Sequence, residues 1–158
     1  MKTKTRSKWL ALLLTVTLLM SLFVGIVKAA DESAGEVCTV GTGAKYATLK
    51  EAFASAPNGA TIQLSENITG FTTDDMATVD EGKTLILDMN GKSLTVDSSF
   101  TGRPIVNNGT LTVTGNGTID SSASEFGGYG AINNFGVLTI ENGTFRGSIM
   151  ADGAAVYV

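Results

Sequence analysis

Two pairs of adjacent acidic residues are the places where this sequence could hold a metal ion. They are Asp74-Asp75 and Asp80-Glu81, and no other acidic pair lies outside the N-terminal tail. Clustered carboxylate oxygens are the ligands that Ca²⁺ prefers, so Asp74 and Asp75 are candidate metal ligands. Both pairs lie in linkers, where charged residues are usually solvated, and a solvated loop is the alternative. The sequence implies no other cofactor.

Two polar segments, residues 97–103 and 120–129, could contact a carbohydrate. Aromatic rings beside polar groups can stack on sugar rings and bond their hydroxyls. Alternatively, the two phenylalanines could fold back to cover the edge of the core. The candidate ligand-binding residues in these segments are Phe100, Arg103, Glu125, Phe126 and Tyr129.

Several kinds of active site are excluded by composition. The chain has 158 residues, no histidine and one cysteine, Cys38. It therefore cannot form a histidine-based triad, a histidine-ligated zinc site, a disulfide scaffold or a cysteine-cluster metal site. Arg103 and Arg146 could act as bases, but no acidic cluster lies at matching positions, and Arg103 precedes Pro104. We expect structural roles for both arginines and assign no catalytic residue.

The N-terminus has the pattern of an export signal. Basic residues are followed by an uncharged apolar stretch over residues 9–27, and Val27 and Ala29 fit the −3 and −1 positions of a signal-peptidase site. We predict a signal peptide at 1–29, a tail with a first strand at 30–44, and a secreted or cell-surface location. An uncleaved membrane anchor is the alternative, because the apolar stretch could nearly span a bilayer.

Removal of this segment makes the chain strongly acidic. Five of the 11 basic residues lie in 1–29 and all 15 acidic residues lie beyond it, so the remaining net charge is 6 − 15 = −9. This charge argues against nucleic acid and anionic membrane surfaces as partners. Any membrane contact would come through the N-terminal segment alone. An exported chain with a single thiol suits a bacterial secreted or surface protein.

One short helix is predicted within residues 46–59. Thr48 and Glu51 have capping-box spacing, and Pro57-Asn58-Gly59 ends the segment. An apolar face is formed at helical spacing by Leu49, Ala52, Phe53 and Ala56.

The rest of the chain is a series of short strand-like runs that repeat. Residues 85–91 align with 111–117, and 116–119 with 142–145, both at an offset of 26. Residues 138–140 supply the matching strand with one residue of slippage. We also align 62–67 with 85–90 at an offset of 23, and 106–108 with 132–134 at an offset of 26. Repeats of this length without an internal helix predict an all-β, parallel β-solenoid with about three strands per coil.

Stacked coils place equivalent side chains in columns. We predict two inward columns, in which neighbouring coils lie about 4.8 Å apart, and a ladder of asparagine amides at one turn. The helix would cover the open end of the first coil. The columns are Ile62/Leu85/Leu111/Leu138 and Leu64/Leu87/Val113/Ile140, and the ladder consists of Asn67, Asn90, Asn116 and Asn142.

Residues 46–53 and 56–64 resemble the opening of right-handed parallel β-helix proteins of the pectin lyase-like superfamily. The matching letters are YATLKEAF and APNGATIQL, and the Asn-Gly-Thr coils are similar to those of repetitive bacterial surface proteins in that group. The resemblance covers about residues 45–158 and implies an N-terminal cap and first coils of a right-handed β-helix. It implies little about activity, because this fold hosts lyases, hydrolases and non-catalytic adhesins.

The leading functional prediction is an exported, non-enzymatic, adhesin-like or stalk-like protein with a polysaccharide or cell-surface glycan as partner. The alternative is part of a polysaccharide lyase or glycoside hydrolase whose active site lies in further coils. The resemblance implies acidic clusters with an arginine base, or aspartates with a histidine, for such enzymes, and the chain has no histidine. Because residues 154–158 read as a third strand without a following cap, we expect an N-terminal fragment of a longer solenoid.

Overall fold

A computed structural model describes residues 35–125 and 130–147, together with the backbone of residues 156–157. The predicted signal peptide and its cleavage site, and the candidate residues Phe126 and Tyr129, lie outside the described residues. Within the described ranges, no helix is both long enough and apolar enough to span a membrane.

The predicted helix is confirmed as α1, Leu49–Ser55. The side chain of Thr48 caps it by accepting a hydrogen bond from the backbone N–H of Glu51 at 3.1 Å, which satisfies one of the free donors of the first turn. The predicted apolar face is also confirmed, because Leu49, Ala52, Phe53 and Ala56 are all buried.

The described residues form fourteen strands in three sheets, and every pairing between coils is parallel. Sheet A contains β1 (Cys38–Val40), β2 (Ala44–Tyr46), β3 (Ala60–Leu64), β6 (Thr84–Asp88), β9 (Thr110–Thr114) and β12 (Val137–Ile140). Sheet B contains β4 (Ile68–Phe71), β7 (Ser93–Val96), β10 (Thr118–Asp120) and β13 (Thr144–Arg146). Sheet C contains β5 (Ala77–Val79), β8 (Ile105–Asn107), β11 (Ile132–Asn134) and β14 (Val156–Tyr157).

The chain visits the sheets in the order A, B, C and then begins the next coil, which gives a β-solenoid of about three turns. The predicted fold class is therefore confirmed. Inward side chains alternate with outward ones along strands such as β6 and β9, and the inward side chains form one continuous apolar core. A single coil could not bury this core, so each coil depends on its neighbours for stability.

The predicted register is confirmed for most of sheets A and B. Leu111 lies opposite both Leu85 and Leu138, and the one-residue slippage before β12 is present. Thr118 pairs with Thr144 at the predicted offset of 26.

Two predicted alignments are wrong. In the first coil the offset to β6 is 25, so Ile62 lies opposite Leu87 and Ala60 opposite Leu85. A shift of two residues keeps each side chain on its face, so the hydrophobic pattern alone could not reject it. In sheet C the offset is 27, which pairs buried Ile105 with buried Ile132. The predicted offset of 26 would have paired Val106 with Ile132, which lie on opposite faces.

Two elements close the N-terminal end of the solenoid. Strand β1 pairs antiparallel with β3, and β2 pairs with β1 through the turn at residues 41–43. Only a first strand was predicted there, so the hairpin is an addition. Helix α1 packs against β5, as well as against β1 and β2. The two elements therefore cover the end strands of sheets A and C.

The predicted asparagine ladder is wrong, because its first two members bond backbone groups of neighbouring coils. Asn67 lies level with Ser93 and accepts a hydrogen bond from its N–H at 2.9 Å. The amide of Asn90 donates to the carbonyl of Leu64 at 3.0 Å. Both side chains hold one coil to the next, but neither contributes to a stack of amides.

The other two members of the predicted ladder, Asn116 and Asn142, are exposed at their turns. Among the described residues, no hydrogen bond involves the side-chain amide of Asn142 or that of Asn116. The physical reason is the tight Asn-Gly turn, which leaves these amides on the surface, where water can satisfy them. Asn142 and Asn116 are therefore corrected from ladder positions to exposed turn positions.

A different pair of asparagines bonds amide to amide between coils in the described part of the chain. The side chain of Asn107 donates to that of Asn134 at 2.6 Å. Asn107 is fully buried and also bonds Val137 and Gly109, so it ties coil to coil inside the stack.

Candidate functional site

A polar groove crosses three coils at the corner between sheets A and B. We call it the corner groove, and its volume is about 330 Å³. Each coil contributes a short turn and the first residue of its sheet B strand. The lining residues are Gly91, Lys92, Ser93, Asn116, Gly117, Thr118, Gly143 and Thr144.

Glycine in these turns lets neighbouring coils stack closely, because a side chain would collide with the preceding coil. A Cβ atom at Gly117 would lie 2.4 Å from the carbonyl oxygen of Lys92 and 2.4 Å from the Cβ of Met89. Gly91 has a φ of 72°, in the left-handed region that favours glycine. The glycines therefore allow the turns of successive coils to stack closely at this corner.

The backbone of the corner groove is already satisfied by the stacking. The N–H of Thr118 donates to the carbonyl of Lys92 at 3.1 Å, and the N–H of Thr144 donates to the carbonyl of Gly117 at 2.8 Å. These bonds fix the spacing of the groove side chains at about one strand separation, 4.8 Å. The site is therefore rigid and built from regular elements.

The side chains of the corner groove keep their hydrogen-bonding capacity for a ligand. Within the described residues, no hydrogen bond or ion pair involves the ammonium of Lys92 or the hydroxyls of Ser93, Thr118 and Thr144. Asn116 is exposed at the rim. Hydroxyl, amide and ammonium groups in a row can exchange hydrogen bonds with a ligand that carries repeated hydroxyls.

Sequence reasoning did not assign the corner groove. The available signal was the Asn-Gly-Thr repeat at 116–118 and 142–144. Turn geometry explains that pattern equally well, and the repeat does not show that Lys92 and Ser93 of the preceding coil line the same strip.

The two predicted loops do stack on each other at the corner between sheets B and C. The N–H of Glu125 donates to the carbonyl of Ser98 at 2.9 Å, and the hydroxyl of Ser124 donates to the carbonyl of Phe100 at 2.6 Å. Both loops open with the same turn. Asp97 accepts from the N–H and hydroxyl of Ser99, and Asp120 accepts from those of Ser122.

The predicted ligand-binding role of Phe100 is corrected, because its ring is fully buried and packs on Phe71 with 6.0 Å between ring centroids. Phe100 therefore folds back to cover the edge of the core, which is the alternative given for it in the sequence analysis. Arg103 is partly buried and Glu125 is exposed. The described parts of the loops thus offer polar groups to a ligand. The ligand-binding roles of Phe126 and Tyr129 stay predictions.

The acidic residues of the predicted metal site have local roles. The carboxylate of Asp75 accepts hydrogen bonds from the N–H and the hydroxyl of Thr72, at 2.9 and 2.6 Å, and so caps the short 3-10 turn at Thr73–Asp75. The backbone carbonyl of Asp74 accepts from Lys50. No cluster of three or more potential metal-ligating side chains is found among the described residues.

The side chains of Arg146, Asp120 and Cys38 are engaged or made less reactive by their neighbours. Arg146 forms an exposed ion pair with Asp120, with 3.5 Å between the atoms. Burial is the largest influence on the pKa of Asp120 and raises it, but bonds from Ser122 and the charge of Arg146 together lower that pKa below its usual value. Burial, with a smaller contribution from Glu51, raises the pKa of Cys38 to about 11. A thiol with that pKa is protonated at neutral pH and is a poor nucleophile.

A second cleft, of about 260 Å³, lies beside β4 near the start of α1. Its lining is mainly apolar and includes Val37, Leu49, Ile68 and Phe71. Three of its polar lining residues, Thr48, Asn67 and Asp75, already accept hydrogen bonds from within the chain. Comparison of the chain with protein-family models, with curated proteins and with solved structures finds no match.

Proposed function

We propose that this chain is an exported, non-enzymatic, adhesin-like β-helix protein that binds a neutral glycan along the corner groove. The observation that carries the proposal is the row of free side-chain donors and acceptors, repeated from coil to coil on a rigid strip. Membership of the pectin lyase-like superfamily, with its right-handed coil, is part of the proposal and comes from the resemblance of residues 46–64. Export comes from the N-terminal pattern.

A polymer with evenly spaced hydroxyls suits the groove better than a compact ligand. The groove crosses coils that repeat about every 4.8 Å, so equivalent side chains meet successive units of an extended chain. The groove has one cation, Lys92, while the chain as a whole carries an excess of acidic residues, 15 against 11 basic. Long-range repulsion therefore disfavours acidic polysaccharides and favours neutral ones.

The alternative of a polysaccharide lyase or hydrolase has no specific support in the described residues. The acidic pair Asp74-Asp75 caps a turn, and Arg146 is paired with Asp120 on the surface. Such an activity would need groups supplied from elsewhere in a longer solenoid.

Binding to a panel of immobilised polysaccharides tests the proposal. Immobilised neutral glucans, mannans or galactans should retain the full chain, and immobilised polyuronates should not. Thr118→Val and Lys92→Met should each weaken that binding by about 2- to 10-fold, because each removes one hydrogen-bonding group. Dissociation constants measured by calorimetry provide the comparison.

Thr112→Val is the matched control, since Thr112 lies on the outer face of β9, outside the groove. Its affinity should equal that of the unaltered chain. The groove would be refuted as the site if the groove variants bound as tightly as the unaltered chain, or if the chain bound none of the neutral glycans. Release of shortened or unsaturated products from any polymer would refute the non-enzymatic role.

A further inference from the structure

The corner groove contains a straight column of hydroxyl groups, one from each of three successive coils. Ser93, Thr118 and Thr144 are the first residues of β7, β10 and β13, and Thr118 lies directly opposite both of the others in the parallel register. Their side chains point outward, because the residue that follows each of them packs in or against the core. Parallel stacking therefore spaces the three hydroxyls about 4.8 Å apart along the solenoid axis.

Backbone hydrogen bonds hold this hydroxyl column in place. The N–H groups of Thr118 and Thr144 donate to carbonyls of the preceding turn, and the N–H of Ser93 donates to the side-chain carbonyl of Asn67 in the first coil at 2.9 Å. Every member of the column is thus tied to the coil before it. Because the column cannot adjust its spacing, the repeat of a bound polymer has to match it.

The residues beside the hydroxyl column determine how a sugar is held. Gly117 and Gly143 precede Thr118 and Thr144, and the equivalent residue one coil earlier is Lys92. The glycines add no side chain to the groove, and Lys92 supplies a charged donor at the end nearer the N-terminal cap. Among the described lining residues there is no aromatic side chain. A sugar in this groove is therefore held by the hydroxyls at its ring edge and not by stacking on its face.

The straightness and spacing of the column distinguish neutral glycans by their linkage. A β-1,4-linked chain of glucose or mannose joins its sugars through two equatorial bonds, so it is extended and advances by close to one strand separation, about 4.8 Å, per sugar. An α-1,4-linked glucan and a β-1,4-linked galactan each have one axial bond in every linkage, so these chains wind. A winding chain cannot keep successive sugars beside a straight and rigid column.

We infer that the ligand class of the corner groove is an extended β-1,4-linked glucan or mannan, which lies along the solenoid axis with one sugar beside each coil. This inference rests on the proposed glycan-binding function and adds the linkage and the orientation. Neighbouring sugars of such a chain are turned over relative to each other, so Thr118 meets the opposite ring edge from Ser93 and Thr144. A hydroxyl both donates and accepts, so the column accommodates this alternation.

Four neutral tetrasaccharides of equal length test the linkage. In nuclear magnetic resonance titrations of the full chain, at least one of cellotetraose and mannotetraose should bind at least about 10-fold more tightly than both maltotetraose and β-1,4-linked galactotetraose, because the wound chains lose one or more hydrogen bonds. Any smaller preference, or binding of none of the four, would overturn the inference. The polysaccharide panel then decides separately whether the proposed function stands, because that proposal requires only that some neutral glycan binds.

Chain length tests the alignment of one sugar with each coil. Thr144→Val should weaken binding of the favoured tetrasaccharide by about 2- to 10-fold, but that of the corresponding disaccharide by no more than about 2-fold, because a disaccharide can still lie beside Ser93 and Thr118. Thr118→Val removes the middle hydroxyl and should weaken both ligands by about 2- to 10-fold. Thr112→Val, outside the groove, is the matched control and should change neither. Equal losses for the two ligand lengths in Thr144→Val, or no loss for the tetrasaccharide, would contradict the alignment and overturn the inference.

Discussion

Replacing Phe100 with alanine is expected to lower the free energy of unfolding by about 3–5 kcal/mol, the usual cost of truncating a buried phenylalanine. The ring is fully buried and contacts Phe71, and the backbone carbonyl of Phe100 accepts the hydroxyl of Ser124 from the next loop. The substitution leaves a cavity where the two stacked loops meet sheet B. Urea denaturation followed by circular dichroism measures the change.

Phe135→Ala is the matched control, since the same group is removed from a side chain that is 67% exposed. Its cost should stay within about 0.5 kcal/mol. Phe100→Ala should also leave glycan affinity unchanged. Full stability together with lost glycan binding would restore Phe100 as a ligand-binding residue and would contradict its position in the structure.

Leu111→Ala is expected to lower the free energy of unfolding by about 2–5 kcal/mol. Leu111 is fully buried between Leu85 and Leu138, so its removal opens a cavity shared by three coils. Since each coil is stabilised mainly by its neighbours, the loss should affect the whole stack and lower the midpoint of a single transition.

Thr112→Ala provides the comparison at the next position of the same strand. Its side chain lies on the outer face of sheet A, and we expect a change within about 0.5 kcal/mol. Similar costs for the two substitutions would show that β9 does not alternate between core and solvent, and would contradict the solenoid register.

The solenoid could be predicted from the sequence because its signals are local and repeated. The capping residue Thr48 and the apolar spacing from Leu49 to Ala56 identify α1 without any tertiary information. The offset of 26 between β6 and β9 is carried by a seven-residue match, which is enough to set a register.

The two wrong alignments, of β3 with β6 and of β8 with β11, had no such match behind them. An error of two residues at β3 leaves every side chain on the correct face, so the pattern could not detect it. The contacts that set this register are specific and polar: Gln63 donates to Asp88 at 2.8 Å, and Asn58 accepts from the N–H of Thr84 at 2.6 Å. Neither pair can be recognised from residue type alone.

The asparagine ladder failed because a repeated residue type does not fix where its side chain points. Asn142 and Asn116 repeat at 26 residues as predicted, yet both are exposed at their turns. Asn107 belongs to the repeated segment 106–108, and its burial and its bond to Asn134 make it the amide contact between coils. Burial of an asparagine depends on the neighbouring coil, which the repeat alone does not describe.

The candidate site was less predictable than the fold for a similar reason. Whether a loop phenylalanine faces solvent or core depends on the neighbouring coil, and for Phe100 that neighbour decides for the core. The corner groove is formed by residues about 26 positions apart, such as Thr118 and Thr144, whose chemistry becomes visible only when the coils are stacked.

Nuclear magnetic resonance of the chain during titration with a neutral oligosaccharide, chosen from the polysaccharide class that the panel identifies, tests the proposed function most directly. We predict saturable shifts in the amide signals of Ser93, Thr118 and Thr144, with the signals of Ile86 and Thr112 on the outer face of sheet A unchanged. The oligosaccharide should be recovered intact. Shifts confined to the loops at 97–103 and 120–125, shifts spread over sheet A, or cleavage of the sugar would contradict the account.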